Sequence, residues 1–149
     1  MIFGQEKELL KLLNRELKYE VKNQFKSHNF EDDTISIVKP FTISADKILS
    51  FEIKKSNSSN GDEIIKQEVS LNKIRKIGKD LQIILETESN AVTTTYINKE
   101  NLTKPEIVKG NLFFLYLFNE KQTETLGIEL KNAFQNAGIS VEKENWYDK

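Results

Sequence analysis

Cysteine is absent from the 149 residues, which removes disulfides, thiolate metal sites and cysteine nucleophiles together. Histidine occurs once, as His28, so a Ser-His-Asp triad would have to be built on it. It lies in a polar stretch, SHNFEDD at 27–33, and no serine occupies a nucleophile-elbow sequence. The six glycines are scattered singly, leaving no glycine-rich loop to cradle a phosphate. Charge of either sign is not in excess: 22 basic and 23 acidic side chains leave a net of −1, so no global field draws the chain to nucleic acid or an anionic membrane. Long apolar runs are missing too. The longest, 112–118, is far short of the roughly 20 residues that span a bilayer. The opening MIFGQEKELLKLLNREL is charged from its sixth residue and lacks the apolar core of a signal peptide. A cytoplasmic location, with no cofactor, is the expectation.

What is present supports a packed interior. Charged residues make up 30% of the chain, yet 38% are hydrophobic and nine are Phe, which is not a disordered composition. A length of this order fits one domain over 1–149, burying roughly 70% of the surface of its unfolded chain. That domain divides into a helix (1–27), an antiparallel sheet (34–118), a second helix (119–138) and a tail (139–149).

In the first helix Leu9, Leu10, Leu13, Leu17, Val21 and Phe25 fall in one arc at 100° per residue. Lys7, Lys11, Arg15, Lys18, Lys22 and Lys26 fill a second arc about 100° wide. Such a basic amphipathic helix suits an anionic membrane or an acidic partner. Glu6 and Glu20, however, project into the apolar arc, where a carboxylate is costly in lipid and tolerable at the rim of a protein interface. The stripe is therefore expected to dock on the protein's own sheet.

His28 with Glu31, Asp32 and Asp33 has the residue types of a metal site, but the spacing matches no defined metal loop, and turn or capping roles are expected for these acids. Ile35 and Ile37 then alternate, Lys39-Pro40 interrupts, and Phe41 and Ile43 resume, which marks an edge or corner. Leu49, Phe51 and Ile53 make a clear strand. Ser, Asn, Gly and Asp over 56–62 read as a mobile hairpin loop.

Residues 64–98 read as three strands in the middle of a sheet. Ile65, Val69 and Leu71 alternate, as do Leu81, Ile83 and Leu85; Val92 to Thr95 are β-branched. Between them Leu71, Ile74 and Ile77 step by three, so a bulge or bend is required there, with Gly78-Lys79-Asp80 turning into the next strand. Glu88-Ser89-Asn90 makes a second turn. Residues 99–111, with Pro105 and Gly110, read as a longer loop pinned by Ile107 and Val108. The strand at 112–118 is apolar throughout, so both its faces are expected to be covered. The natural cover is the last helix, which aligns Leu126, Leu130, Ala133, Phe134 and Ala137, with Asn119 as N-cap and Gly138 as terminator. Trp146 and Tyr147 in the tail offer an aromatic contact.

The fold class is thus α+β, mostly β: a bent antiparallel sheet or partly open barrel of six to seven strands, covered by a C-terminal amphipathic helix and preceded by an N-terminal one. VSLNKIRKIGKD (69–80), LQIILET (81–87) and LGIELKNAFQNAG (126–138) in that order resemble the pleckstrin-homology-like superfold with its bacterial and GRAM-type relatives. The resemblance spans roughly 48–138 and implies a bent barrel plugged by its final helix. It departs from the phosphoinositide-binding pattern. Lys54, Lys55 and Lys66 resemble the family's basic positions, but Glu68 stands where an Arg is usual, and Phe134 stands where the closing helix usually carries Trp.

Lys73, Arg75, Lys76 and Lys79 crowd the proposed bend and, with Lys54 and Lys55, form the candidate contact set for an anion or partner. Their plainer reading is a strand edge guarded by lysines against sheet-to-sheet pairing. Glu86 and Glu88 share a strand face, as surface carboxylates routinely do. The chain is therefore expected to be no enzyme but a binding or adaptor module that engages a protein partner through a groove beside the last helix or an exposed strand edge. A peripheral membrane module using the basic residues, and a small-molecule carrier with an apolar interior, are the alternatives.

Overall fold

A computed structural model describes residues 4–23, 33–57, 61–80, 82–100, 102–117 and 123–143. In chain order they form α1 (Gly4–Asn23), β1 (Asp33–Ile43), β2 (Ile48–Asn57), β3 (Gly61–Ser70), β4 (Ile74–Asp80), β5 (Gln82–Thr87), β6 (Val92–Ile97), β7 (Glu106–Gly110), β8 (Leu112–Phe114), α2 (Thr123–Asn136) and β9 (Glu142–Lys143). The class is α+β and mostly strand, with the N-terminal helix present. The strands make two sheets, ordered β1-β2-β3-β6-β7 and β8-β5-β4-β9, and they do not close into a barrel.

The bend falls where the apolar spacing demanded it. A single 3-10 turn, Leu71–Lys73, separates β3 from β4, and Leu71, Ile74 and Ile77 are all buried. The consequence is larger than a bulge within a meander. The β4–β5 hairpin leaves for the second sheet, while β3 pairs with β6 across the gap, Ile65 opposite Tyr96 and Val69 opposite Val92. Gly78, Lys79 and Asp80 are not a turn; they belong to β4 and face Ile84, Ile83 and Gln82 on β5.

Nine strands among the described residues replace the six or seven expected. Residues 106–110, read as loop, form β7, and the tail segment at 142–143 joins β4 in the one parallel pairing among the described strands. Neither left a periodic signal, because β7 buries neither face and β9 is two residues long.

The core lies between the sheets and under the helices. Phe41 and Phe51 stack at 4.2 Å between ring centroids, and Phe113 packs at 5.5 Å from Phe51 and 6.5 Å from Phe41. Leu9, Leu13 and Leu17 of α1 are fully buried in it, so the apolar stripe does dock on the protein itself. Leu126, Leu130 and Phe134 bring α2 into the same core, and burial of each large side chain contributes about 1.5–3 kcal/mol. α2 also lies against α1 and β9. β8 is not covered throughout as expected, since Leu112 is exposed while Phe113 is buried. Gly138, at φ 84°, ends α2 with paired bonds: its N–H donates to the Gln135 carbonyl (3.0 Å) and that of Ile139 to the Phe134 carbonyl (2.9 Å). Among the described residues no helix is long and apolar enough to cross a membrane.

Candidate functional site

The six basic candidates are divided between β2 of one sheet and the 71–73 turn with β4 of the other. Arg75 is held by its own turn: Nη1 donates to the carbonyls of Asn72 (2.7 Å) and Ile74 (3.3 Å), and Nε lies 3.9 Å from a Glu88 carboxylate oxygen. Lys76 sits between two acids, opposite Glu86 on β5 and Glu142 on β9. Lys79 stands opposite Ile83, and Lys73 is exposed at the turn. Lys54 and Lys55 lie toward the far end of β2, pairing with Ile64 and Glu63. The far end of that pairing is where Ile48 meets Ser70, so at about 3.3 Å per residue Lys54 stands roughly 20 Å along the strand from the turn at 71–73 that precedes the other basic residues. The two also point to opposite faces of the sheet, as neighbours on a strand must.

Sheet edges distinguish the surfaces more sharply. β1 is an interrupted edge: its register shifts between Ile37 and Lys39 and again between Lys39 and Thr42, around Pro40. The main chain freed there is taken up by α1. Asn14 accepts the Phe41 N–H through Oδ1 at 2.8 Å and donates from Nδ2 to the Phe41 carbonyl at 3.1 Å, so one side chain satisfies both groups.

β8 is closed in the same manner from the other sheet. Gln67 on β3, only 1% exposed, donates from Nε2 to the Phe114 carbonyl at 2.6 Å and accepts the Phe114 N–H through Oε1 at 2.9 Å. Beyond β8 the ladder to β5 continues through a bulge. Leu115 N–H donates to the Ile83 carbonyl and Ile83 N–H to the Leu117 carbonyl, both at 3.1 Å, with Tyr116 as the extra residue. Tyr116 has φ 60°, a left-handed conformation unusual for an aromatic residue, and Gln82 Oε1 accepts its N–H at 2.8 Å.

β7 has no such protection. It pairs with β6 over five consecutive positions without a register shift, from Val92 opposite Gly110 to Tyr96 opposite Glu106. Among the described residues no strand lies on its other side. Ile107 is 63% and Val108 44% exposed, and Leu102 and Leu112, just before and after the strand, are exposed as well. Because alternate residues face opposite sides, Ile107 and Val108 leave apolar surface on both faces of this edge.

Three further polar groups complete the inventory: the partly buried phenols of Tyr116 and Tyr96 and the buried carboxylate of Glu6. The Tyr116 phenol is pushed up to about 12, chiefly by burial, with Tyr96 and Glu63 adding to it; the Tyr96 phenol is raised by burial and by Glu63 and Glu106. Glu6, 5% exposed at the start of α1, meets Lys47 Nζ with Oε2 at 2.6 Å, while its Oε1 is buried without a hydrogen-bond partner. This carboxylate is buried and not at a rim, and its ion pair with Lys47 ties α1 to the β1–β2 turn. Among the described residues no group of three or more His, Asp or Glu side chains is placed to hold a metal ion. His28 and its acidic neighbours to Asp32, the loop tip at 58–60, Asn119, and Trp146 with Tyr147 lie outside the described residues.

No family model, curated protein or solved structure matches the chain.

Proposed function

We propose that the chain is a non-enzymatic binding module that engages a protein partner by accepting an extended segment of it as a further strand on β7. The observation that carries this reading is the contrast between edges. β1 is broken by bulges and capped by Asn14, β8 is sealed by Gln67, and among the described residues β7 alone of the longer edges combines a regular ladder with exposed Ile107 and Val108. Sheet edges that serve no purpose are normally blunted, because unpaired N–H and C=O groups template association. In strand addition the main-chain bonds supply affinity and the alternating side chains supply selectivity.

The lack of cysteine and the presence of a single histidine support a module without catalysis, working in a reducing cytoplasm. Kinship with the pleckstrin-homology-like superfold belongs to the same proposal, supported by the bend at 71–73 and by the final helix packed into the core.

The test is affinity purification of the tagged chain from its native host, beside an Ile107→Asp/Val108→Asp variant and a Lys73→Glu/Lys76→Glu variant. A protein retained by the parent and the second variant, lost from the first at unchanged melting temperature, and protecting amides 106–110 from hydrogen exchange is the expected result. Equal retention by Ile107→Asp/Val108→Asp removes β7 from the reading, and loss in Lys73→Glu/Lys76→Glu alone transfers it to the basic bend.

A further inference from the structure

The outward side of α1 carries a second surface. α1 packs on β1, at the opposite edge of the five-stranded sheet from β7, four inter-strand spacings or roughly 19 Å away. At 100° per residue Lys11, Lys18 and Lys22 fall within about 40° of one another, flanked by Lys7 and Arg15. All five are exposed.

Their charges are not equally occupied. Arg15 is committed to Glu16 at 2.8 Å and to Glu129 of α2 at 3.4 Å, and its pKa is raised, first by the Glu16 hydrogen bond. Lys11, Lys18 and Lys22 make no ion pair among the described residues. The same three lysines, with Asn14, Tyr19 and the Arg15–Glu16 pair, line an open groove of about 590 Å³ along the helix. Tyr19 is 51% exposed there, an amphipathic ring set among uncompensated cations.

We propose that this groove docks an acidic segment of a protein, whose carboxylates meet Lys11, Lys18 and Lys22 while Tyr19 packs against its stem. Lys11 and Lys22 stand about 16 Å apart along the axis, a span matched by roughly five residues of extended chain. An anionic membrane fits less well. The apolar stripe of α1 is sunk in the core, so only Tyr19 would enter the boundary between head groups and acyl chains, and a groove suits a linear ligand over a plane. Nucleic acid fits less well again, because one aromatic ring is a short stacking platform. The surface is independent of strand addition at β7, and the two would let one chain hold two segments at once.

The experiment titrates the full chain into a fluorescein-labelled peptide of Glu and Asp, roughly twelve residues long, and reads anisotropy at about 50 mM and about 300 mM salt. Vesicles of phosphatidylserine in phosphatidylcholine and an oligothymidine of equal length are run beside it. The expected result is saturable peptide binding that weakens at least about tenfold at the higher salt. It should weaken by a similar factor in Lys11→Glu/Lys18→Glu/Lys22→Glu, while Ile107→Asp/Val108→Asp and Lys73→Glu/Lys76→Glu bind as the parent does. Absence of peptide binding, undiminished binding by the triple variant, or tighter binding to vesicles or oligothymidine overturns the proposal. A loss confined to Ile107→Asp/Val108→Asp places the acidic segment on β7 instead.

Discussion

The side-chain amide of Gln67 faces the main chain of Phe114 as a neighbouring strand would, donating to its carbonyl at 2.6 Å and accepting its N–H at 2.9 Å. Through that one residue the five-stranded sheet is bonded to the four-stranded one. Gln67→Leu would fill the space and strand both Phe114 groups, each costing about 1–3 kcal/mol when left unsatisfied. The expected loss in urea-denaturation stability is roughly 2–5 kcal/mol, and a variant as stable as the parent would show that water replaces the amide without loss.

Asn14 plays the same part between α1 and Phe41, and the two exchangeable variants separate its bonds. Asn14→Asp keeps the acceptor for the Phe41 N–H and removes the donor to the carbonyl, whereas Asn14→Ala removes both. Thermal melts should rank the parent above both variants, with Ala lower by about 1–3 kcal/mol. Hydrogen exchange at the Phe41 amide should quicken only in the alanine variant.

Tyr116 gives a pH dependence of known sign. Its phenol ionises at about 12 in the folded chain, against about 10 when unfolded. Above pH 10 the unfolded state therefore binds fewer protons than the folded one, and stability falls as pH rises. The contribution is whole below pH 10 and is lost as pH climbs through about 12. Ultraviolet titration of phenolate should show one late-ionising tyrosine that vanishes in Tyr116→Phe, and the alkaline fall in stability should be shallower in that variant. A Tyr116→Phe profile identical to the parent's would deny the burial of this hydroxyl.

The parts of the fold that were legible in the sequence are those that bury one side of a regular element. Leu9, Leu13 and Leu17 announced α1, and Leu49, Phe51 and Ile53 announced β2, because an interior on one side imposes a period. β7 exposes both faces and imposes none, so its residues looked like a loop. The continuous apolar run from Leu112 suggested cover on both faces, yet apolarity alone says nothing of what lies alongside. Gln67 did leave a sign: a polar residue in register with Ile65 and Val69 on the buried face must find a partner there. The surroundings of the basic cluster were hidden for the complementary reason. Glu86 and Glu142 stand opposite Lys76 on other strands, and nearness in sequence cannot report them.

The parallel pairing of β9 with β4 sets a clock on biosynthesis. About 60 residues separate the two, which at roughly 5–20 residues per second is some 3–12 s of translation. Throughout that interval the outer side of β4, with Ile74 and Ile77 close behind it, has no strand to meet. A ribosome stalled ahead of residue 142 would therefore hold out a half-built sheet whose bare rim invites chaperones or neighbouring nascent chains.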